Sequence, residues 1–487
     1  MNDPRLATFN SRTVQHDSQV AYGPEIPLPS FRHASSDLQI LQISGHIEEG
    51  HREPVFIEKG SGKKGKRRGP FQDLTQRQET GLTRKLGACL SCSMQRIRCL
   101  PDLLNPTGCC RTCIHAARTR MHWLPCLRYK IADSELLDHA VCPRPSWTKR
   151  WKKMEVVDIR DWASKDIKTI TITQDVGGTS YKLKVRRFKP IEGDSLERKW
   201  KTDGVEQSFK CAPYGIADMK EAGRTLAEFA ERTLGTAISF YIDETDVLLR
   251  STYSMAYRYS RFAEREEERL LLRSALRLWC ASRMESHSDR ICGNETLGME
   301  PQDYGPRCAN TGIILTPPVF SAQLEVIVVA TILQPARREV LRRLRDLIQE
   351  NQRRSWFAIY LCIFVLLHSC ALLTASNNQK ARKQGLESRF FQTTVVEALH
   401  NGANILLAHF HYCNRGSHPF TMDWKSPDQI ARAELDTEQV QFILDTAKEV
   451  KKKSPLFREI REKALFEHEY YFLSQLYEFD WKPRHTI

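Results

Sequence analysis

Eight of the chain's fifteen cysteines fall between residues 89 and 142. The core of that stretch reads GACLSCSMQRIRCLPDLLNPTGCCRTCIHAARTRMHWLPC, spaced Cys89-x2-Cys92-x6-Cys99-x10-Cys110-x2-Cys113-x12-Cys126. A CxxC turn aims two thiolates at one point, and Zn²⁺ takes four such soft ligands in a tetrahedron. Six cysteines cannot fill two tetrahedra separately, but they do so when two thiolates bridge both ions. Metal binding would also supply folding energy to a segment with few large apolar residues. Cys109, Cys142, His115 and His122 are spare donors. The choices between Cys109 and Cys110, and between Cys126 and Cys142, stay open at this level. Cys110 keeps the x2 spacing; Cys126 is the nearer candidate and follows the rigid Pro125. The first residues, MNDPRLATFNSRT, carry no apolar run, so a secretory signal is not expected. That favours metal-bound or buried thiols over disulfides.

The formal net charge of +14 has one source. Residues 61–153 hold 20 Lys and Arg against 6 Asp and Glu, and the rest of the chain balances. So localised a positive field points to a polyanion, most often nucleic acid. Lys63, Lys64, Lys66, Arg67 and Arg68 open this stretch and fit nuclear import or phosphate contact.

The remaining elements must position this module. With 487 residues and 41% hydrophobic content, the chain supports two or three domains, and collagen-like or wholly disordered classes are excluded. A mean hydropathy of −0.47 argues against a polytopic membrane protein. Residues 1–60 are polar without apolar period and read as a disordered tail. Within 154–215, Ile167–Thr173 and Tyr181–Phe188 alternate around Asp175-Val176-Gly177-Gly178, predicting a β-hairpin followed by a connecting loop from 189. From 216 to 487 the pattern is helical. Helices are expected near 262–284, 321–353 (broken or kinked at Pro335), 355–375, 389–412, 437–452 and 456–478, with a long loop over 288–318. Trp356 to Ala375 is apolar, uncharged and long enough to span a bilayer. Its polar residues, its weakly asymmetric flanks and the amphipathic neighbours favour a buried core helix, so no membrane partner is expected. His409, His411, Cys413 and His418 read as buried helix residues rather than a second metal site, and AEREEER at 263–269 as a solvated helix start. The fold class is therefore mainly α.

The cysteine segment resembles the fungal Zn(2)-Cys(6) binuclear cluster transcription factors. The first half, Cys89 to Cys99, and the second CxxC, Cys110 and Cys113, match that pattern; the x12 gap before Cys126 is longer than usual. The resemblance implies two Zn²⁺ ions on Cys89, Cys92, Cys99, Cys110, Cys113 and Cys126, with Cys89 and Cys110 bridging. It implies a small DNA-binding module with its core at 89–126, ahead of a large α-helical regulatory domain. The region after 217, including LLAHFHYCNRGSHPF, is similar to the helical regions that follow such clusters.

In that family the helix after the first CxxC enters the major groove and reads CGG-like triplets. Here its loop, Ser93-Met94-Gln95-Arg96-Ile97-Arg98, keeps two basic residues. Arg96 becomes the base-contact candidate and Arg98 a second, more suited to phosphate. Arg111, Arg84 and Lys85 are further DNA-contact candidates, joined by Arg118, Arg120, Arg128 and Lys130. No heptad coiled coil follows the cluster, so the oligomeric state is open. GxSxG, HExxH, GxxxxGK[ST] and a post-strand GxGxxG are all missing, and no enzyme is expected. The resulting expectation is a nuclear, sequence-specific regulator of RNA polymerase II transcription. Its partners would be double-stranded DNA and the transcription machinery or co-regulators. The alternative is a zinc-stabilised interaction or scaffold protein without specific DNA binding.

Overall fold

The computed structural model describes residues 73–119, 125–137, 147–202, 205–304, 311–413 and 419–485. The expected tail over 1–60, the basic cluster Lys63 to Arg68, Arg120, His122, Cys142 and His418 lie outside the described residues, as does the side chain of Arg118.

The cysteine segment contributes α1 (Leu74–Leu86), α2 (Leu90–Met94) and α3 (Arg111–Thr119). Next come β1 (Trp162–Thr173) and β2 (Ser180–Phe188). Their antiparallel register pairs Ile170 with Leu183 and Ile172 with Tyr181, so one face is apolar and buried. The turn between them needs left-handed backbone at Gly177 and Gly178. Gly177 also lies so close to the Thr236 side chain that a Cβ there would collide with it.

The expected hairpin is larger than the sequence suggests. The supposed loop after 189 holds β3 (Glu197–Thr202) and β4 (Val205–Lys210), a second hairpin, and β5 (Tyr214–Ile216). Helices α4 (Met219–Tyr241), α5 (Val247–Phe262) and α6 (Glu266–Glu285) follow. The supposed loop over 288–318 contains β6 (Arg290–Cys292) and β7 (Ile314–Leu315), which complete a sheet ordered β5-β2-β1-β6-β7. Strands of two or three residues are too short for alternation to reveal; their partners create them. The sheet packs on α4, where Tyr181 and Phe229 meet at 4.7 Å between ring centroids, and on α7 (Pro318–Ile327). The buried Gln323 side chain accepts from the Ile216 N–H at 2.7 Å and donates to its carbonyl at 3.2 Å.

Pro335 stands in the first turn of α8 (Gln334–Glu350), directly after a π-helical stretch, Val328–Leu333. A widened turn gives room to the proline ring, which would otherwise meet the carbonyl four residues back. The apolar run lies within α9 (Trp356–Lys383), surrounded by α5, α6, α10 (Thr393–Cys413) and α13 (Tyr470–Leu473). Two helical stretches, Pro318–Glu350 and Arg353–Lys383, are long and apolar enough to cross a membrane; the most apolar window of the second is 94% buried in protein. The polar groups of α9 find protein partners. Tyr253 Oη lies 2.7 Å from His368 Nδ1, and Thr374 Oγ1 lies 3.1 Å from His400 Nε2.

Two further expectations change. After α11 (Pro427–Ala433), α12 (Thr437–Glu462) runs unbroken through Pro455, joining the expected 437–452 helix to the first turns of the expected 456–478 helix, whose remainder forms only α13 and a 3₁₀ turn. Glu268 is buried rather than solvated: it pairs with Arg265 at 3.1 Å and accepts from Tyr259 Oη at 3.0 Å. Such pairing is what a carboxylate needs away from water.

The cysteine segment is not a bead on a string. Leu90, Leu127, Ile131, Leu136 and Leu137 join the same apolar core as the helices. Arg337 of α8 donates to the Ser134 carbonyl at 2.8 Å. Gly402 of α10 lies against the Glu135 backbone, and a Cβ there would overlap its carbonyl oxygen. Because backbone cannot swing aside, Gly402→Ala is expected to cost about 1–3 kcal/mol and lower Tm by a few degrees. Thermal unfolding of both proteins checks this, and an unchanged Tm contradicts the close approach.

Candidate metal centre

Asp73 caps α1, its side chain accepting from the Thr75 N–H at 2.8 Å. The helix stops at Gly87, whose φ of 82° turns the chain toward Cys89. Cys89 caps α2, its Sγ accepting the Cys92 N–H at 3.4 Å. Cys110 repeats this at the start of α3, accepting the Cys113 N–H at 3.3 Å.

The likeness between the halves extends further. The Cys89 N–H donates to Cys99 Sγ, and the Cys110 N–H donates to Cys126 Sγ, both at 3.4 Å. The residue after each leading cysteine then reaches the other half. The Leu90 N–H donates to the Leu127 carbonyl at 2.7 Å, and the Arg111 N–H to the Leu100 carbonyl at 2.8 Å. The two halves are thus related by an approximate twofold in which Cys126 corresponds to Cys99. A loop of twelve residues, not six, serves the same corner.

Two sets of four sulfurs are compact enough for a metal ion: Cys89, Cys92, Cys99 and Cys110, and Cys89, Cys110, Cys113 and Cys126, each within 4.8 Å. The shared members are Cys89 and Cys110. Sulfur separations are 3.8 Å for Cys89 to Cys110, 3.7 Å for Cys92 to Cys110 and 3.6 Å for Cys89 to Cys113. A tetrahedron with Zn–S bonds of about 2.3 Å has edges of about 3.8 Å, whereas a disulfide would need about 2.05 Å. Hence the donor set fits two bridged zinc ions.

The clustered sulfurs also perturb one another's ionisation. Contact with Cys113 first, and then with the other sulfurs, holds the Cys110 thiol far below the usual range, while Cys110 in turn pushes Cys89, Cys92 and Cys113 up. Cys126 is held down to about 3, chiefly by Cys109. Thiols so crowded ionise together only around cations. Cys109 lies against Cys126 but belongs to neither set of four, and His115 is exposed and also outside both.

The DNA-contact candidates surround this centre. Arg96 ends α2 in left-handed backbone, φ 55°, with its guanidinium donating to the Gln349 carbonyl at 3.1 Å. Arg98 and Arg111 both pair with Glu79 of α1, Arg98 at 3.1 Å. Arg84 and Lys85 are exposed in the last turn of α1. Sequence reasoning gave Glu79 no role, and assigned Arg128 to DNA alone. In the structure, Arg128 donates to the Gly87 carbonyl at 2.7 Å and lies 3.6 Å from Cys99 Sγ, behind the cluster. Tyr412 of α10 donates to the Pro125 carbonyl and ties the long loop to the helical body. No spacing rule links residues so far apart in the chain.

Elsewhere, the histidines of α10 are structural. His409 Nδ1 lies 2.7 Å from the Ile405 carbonyl, and His411 Nε2 lies 2.9 Å from the Gln475 carbonyl while its ring stacks on Trp481. Among the described residues, both groups able to hold a metal ion are in the cysteine cluster.

The model of the KpeA transcription factor family matches residues 143–476, more than half of the chain. The chain belongs to the KpeA transcription factor family. That match covers the sheet and the helical body, the part of the sequence with the fewest chemical signatures. A curated relative agrees: the chain is 22% identical over 398 residues to the "Satratoxin biosynthesis SC3 cluster transcription factor SAT20" of Stachybotrys chartarum. The alignment takes in 77% of this chain and 53% of the relative, so the chain spans about half the length of the curated relative it matches. No solved structure matches the chain. The cysteine cluster fits a Zn(2)-Cys(6) module, and this KpeA-family member has that cysteine segment, able to hold metal ions, docked on a large helical body.

Proposed function

We propose that the chain is a nuclear, sequence-specific DNA-binding regulator of RNA polymerase II transcription, in which a binuclear zinc cluster presents α2 to CGG-like triplets. The observation that carries this is the pair of four-sulfur sets sharing Cys89 and Cys110, set within a stretch that holds the chain's whole positive excess. Two Zn²⁺ ions, held by Cys89, Cys92, Cys99, Cys110, Cys113 and Cys126, would supply folding energy and fix the angle between the halves. Arg96 is the candidate for bidentate donation to guanine O6 and N7. Arg98, Arg111, Arg84 and Lys85 would position the module on phosphates without reading sequence. The helical body would receive regulatory input or contact co-regulators, and Lys63 to Arg68 would serve import.

The test is binding of the zinc-loaded full chain to duplexes with and without a CGG triplet, across salt concentrations. The expected outcome is selective binding whose affinity falls linearly on a log–log salt plot, by about 0.9 per phosphate contact. Equal, weak binding to both duplexes would instead favour the scaffold reading, a zinc-stabilised surface for protein partners. The intramolecular engagement of three of the five candidate contacts is the observation on that side.

A further inference from the structure

Each arginine nearest the cluster's reading loop is already satisfied inside the molecule. Glu79 is nearly buried, with 8% of its surface exposed. A carboxylate in such a place needs ionic partners. It has two, one on each oxygen: Arg98 on Oε2 and Arg111 on Oε1. They come from opposite halves of the twofold, Arg98 just before Cys99 and Arg111 just after Cys110. Both arginine side chains remain about half exposed, so an incoming anion has access to them.

A carboxylate holding two guanidiniums on separate oxygens presents the pattern that a phosphate presents through its non-bridging oxygens. The third arginine, Arg96, rests on the carbonyl of Gln349, in the last turn of α8. Helix carboxyl ends carry unpaired carbonyls and partial negative charge, so that contact has the same sign.

We infer that Glu79 is a built-in competitor for DNA phosphate: it holds Arg98 and Arg111 in a closed state, and DNA must displace it to gain both contacts. This rests on the proposed DNA-binding reading for its biological sense. The ion pairs themselves are independent of it. α1 is well placed to swing. It meets the cluster through Glu79, the Arg98–Gln76 carbonyl contact at 3.4 Å and Thr83 Oγ1 donating to the Cys99 carbonyl at 3.0 Å, while most of its residues are exposed or half-buried. Opening would lose two exchangeable ion pairs and little apolar burial.

The experiment compares the full chain with Glu79→Gln. Glu155→Gln, an exposed acid just after the basic segment, controls for the change of one charge. Zinc content is measured in all three. Affinity for a CGG duplex is titrated against salt, and retention on heparin is read as a probe with no base sequence. The expected result is about tenfold tighter DNA binding for Glu79→Gln with a salt slope close to that of the native chain, since the same phosphates are neutralised once Glu79 has been displaced. Later elution from heparin than the Glu155→Gln control is expected alongside. Weaker binding with unchanged zinc would overturn the inference and make Glu79 a positioning residue that presents the arginines; an effect equal to the control overturns it as well. Later heparin elution without CGG preference in any protein keeps the competitor and removes the sequence-reading function. Should Glu79→Gln lose zinc, Glu79→Asp, which keeps the charge on a shorter reach, carries the test: a smaller gain in affinity supports the inference, and none overturns it.

Discussion

Cys110→Ser is expected to abolish binding of both metal ions, Cys126→Ser to remove one, and Cys109→Ser and Cys142→Ser to leave both. The order follows from membership. Cys110 Sγ belongs to both sets of four sulfurs, Cys126 to one, and Cys109 to neither. Losing a shared thiolate leaves each ion three ligands and removes one of the two bridges between the halves. Losing a terminal one leaves the first set whole. Structural zinc sites in small peptides contribute about 10–16 kcal/mol at neutral pH, comparable to the stability of an entire domain. The effect on the segment from Cys89 to Leu137 should therefore be loss of fold rather than loosening. Leu90, Leu127 and Ile131 leave the shared core with it, so the helical body loses stability too. Native mass spectrometry of the intact chain counts the ions, and proteolysis of the segment reads the fold. Equal zinc content in Cys110→Ser and Cys126→Ser would refute the bridged arrangement. Loss of an ion in Cys142→Ser would give that cysteine the sixth corner.

The difference between what sequence reveals of the site and what it hides is one of range. A CxxC pair is a local object, and so the two knuckles stand out by spacing alone. The sixth position does not, because a twelve-residue gap carries no rule; what singles out Cys126 is a hydrogen bond to the Cys110 N–H that repeats the one between Cys99 and the Cys89 N–H. Glu79 looks like an ordinary helix-surface acid until folding brings Arg98 and Arg111 to it. A similar boundary runs through the fold. The alternation of Ile170, Ile172, Tyr181, Leu183 and Val185 announces β1 and β2, since one face is buried. β6 and β7 have no periodicity to show and exist through pairing with β1 and with each other. The expected break between 452 and 456 does not occur, since α12 continues through Pro455 to Glu462. The apolar run in α9 was legible for the opposite reason: amphipathic segments on both sides demanded a common apolar partner, and this helix supplies it.

Acid should destabilise the helical body independently of the metal centre, through histidines buried in neutral form. His400 is 1% exposed, its ring edge-on to Phe390, Phe466 and Phe472. Burial, with Arg389 nearby adding repulsion, holds its pKa down to about 3. His287 is likewise held down to about 4 by burial. The unfolded chain takes up these protons near pH 6.5 while the folded chain does not, so folding is undisturbed above about pH 6.5 and weakens as pH falls below it. For His400 the loss continues until pH approaches 3, at about 1.4 kcal/mol per pH unit. By pH 5 it amounts to about 2 kcal/mol for each such histidine, a large share of a typical folding free energy of about 5–15 kcal/mol. Zinc release in acid would add to the total, so the histidine contribution must be isolated by difference. His400→Gln keeps a polar group facing Thr374 but takes up no proton. Its urea midpoint should fall less than that of the native chain between pH 7 and pH 5, by an amount equivalent to about 2 kcal/mol. Parallel losses in the two proteins would mean that His400 is free to protonate in the folded state, and that the aromatic enclosure around it opens to water.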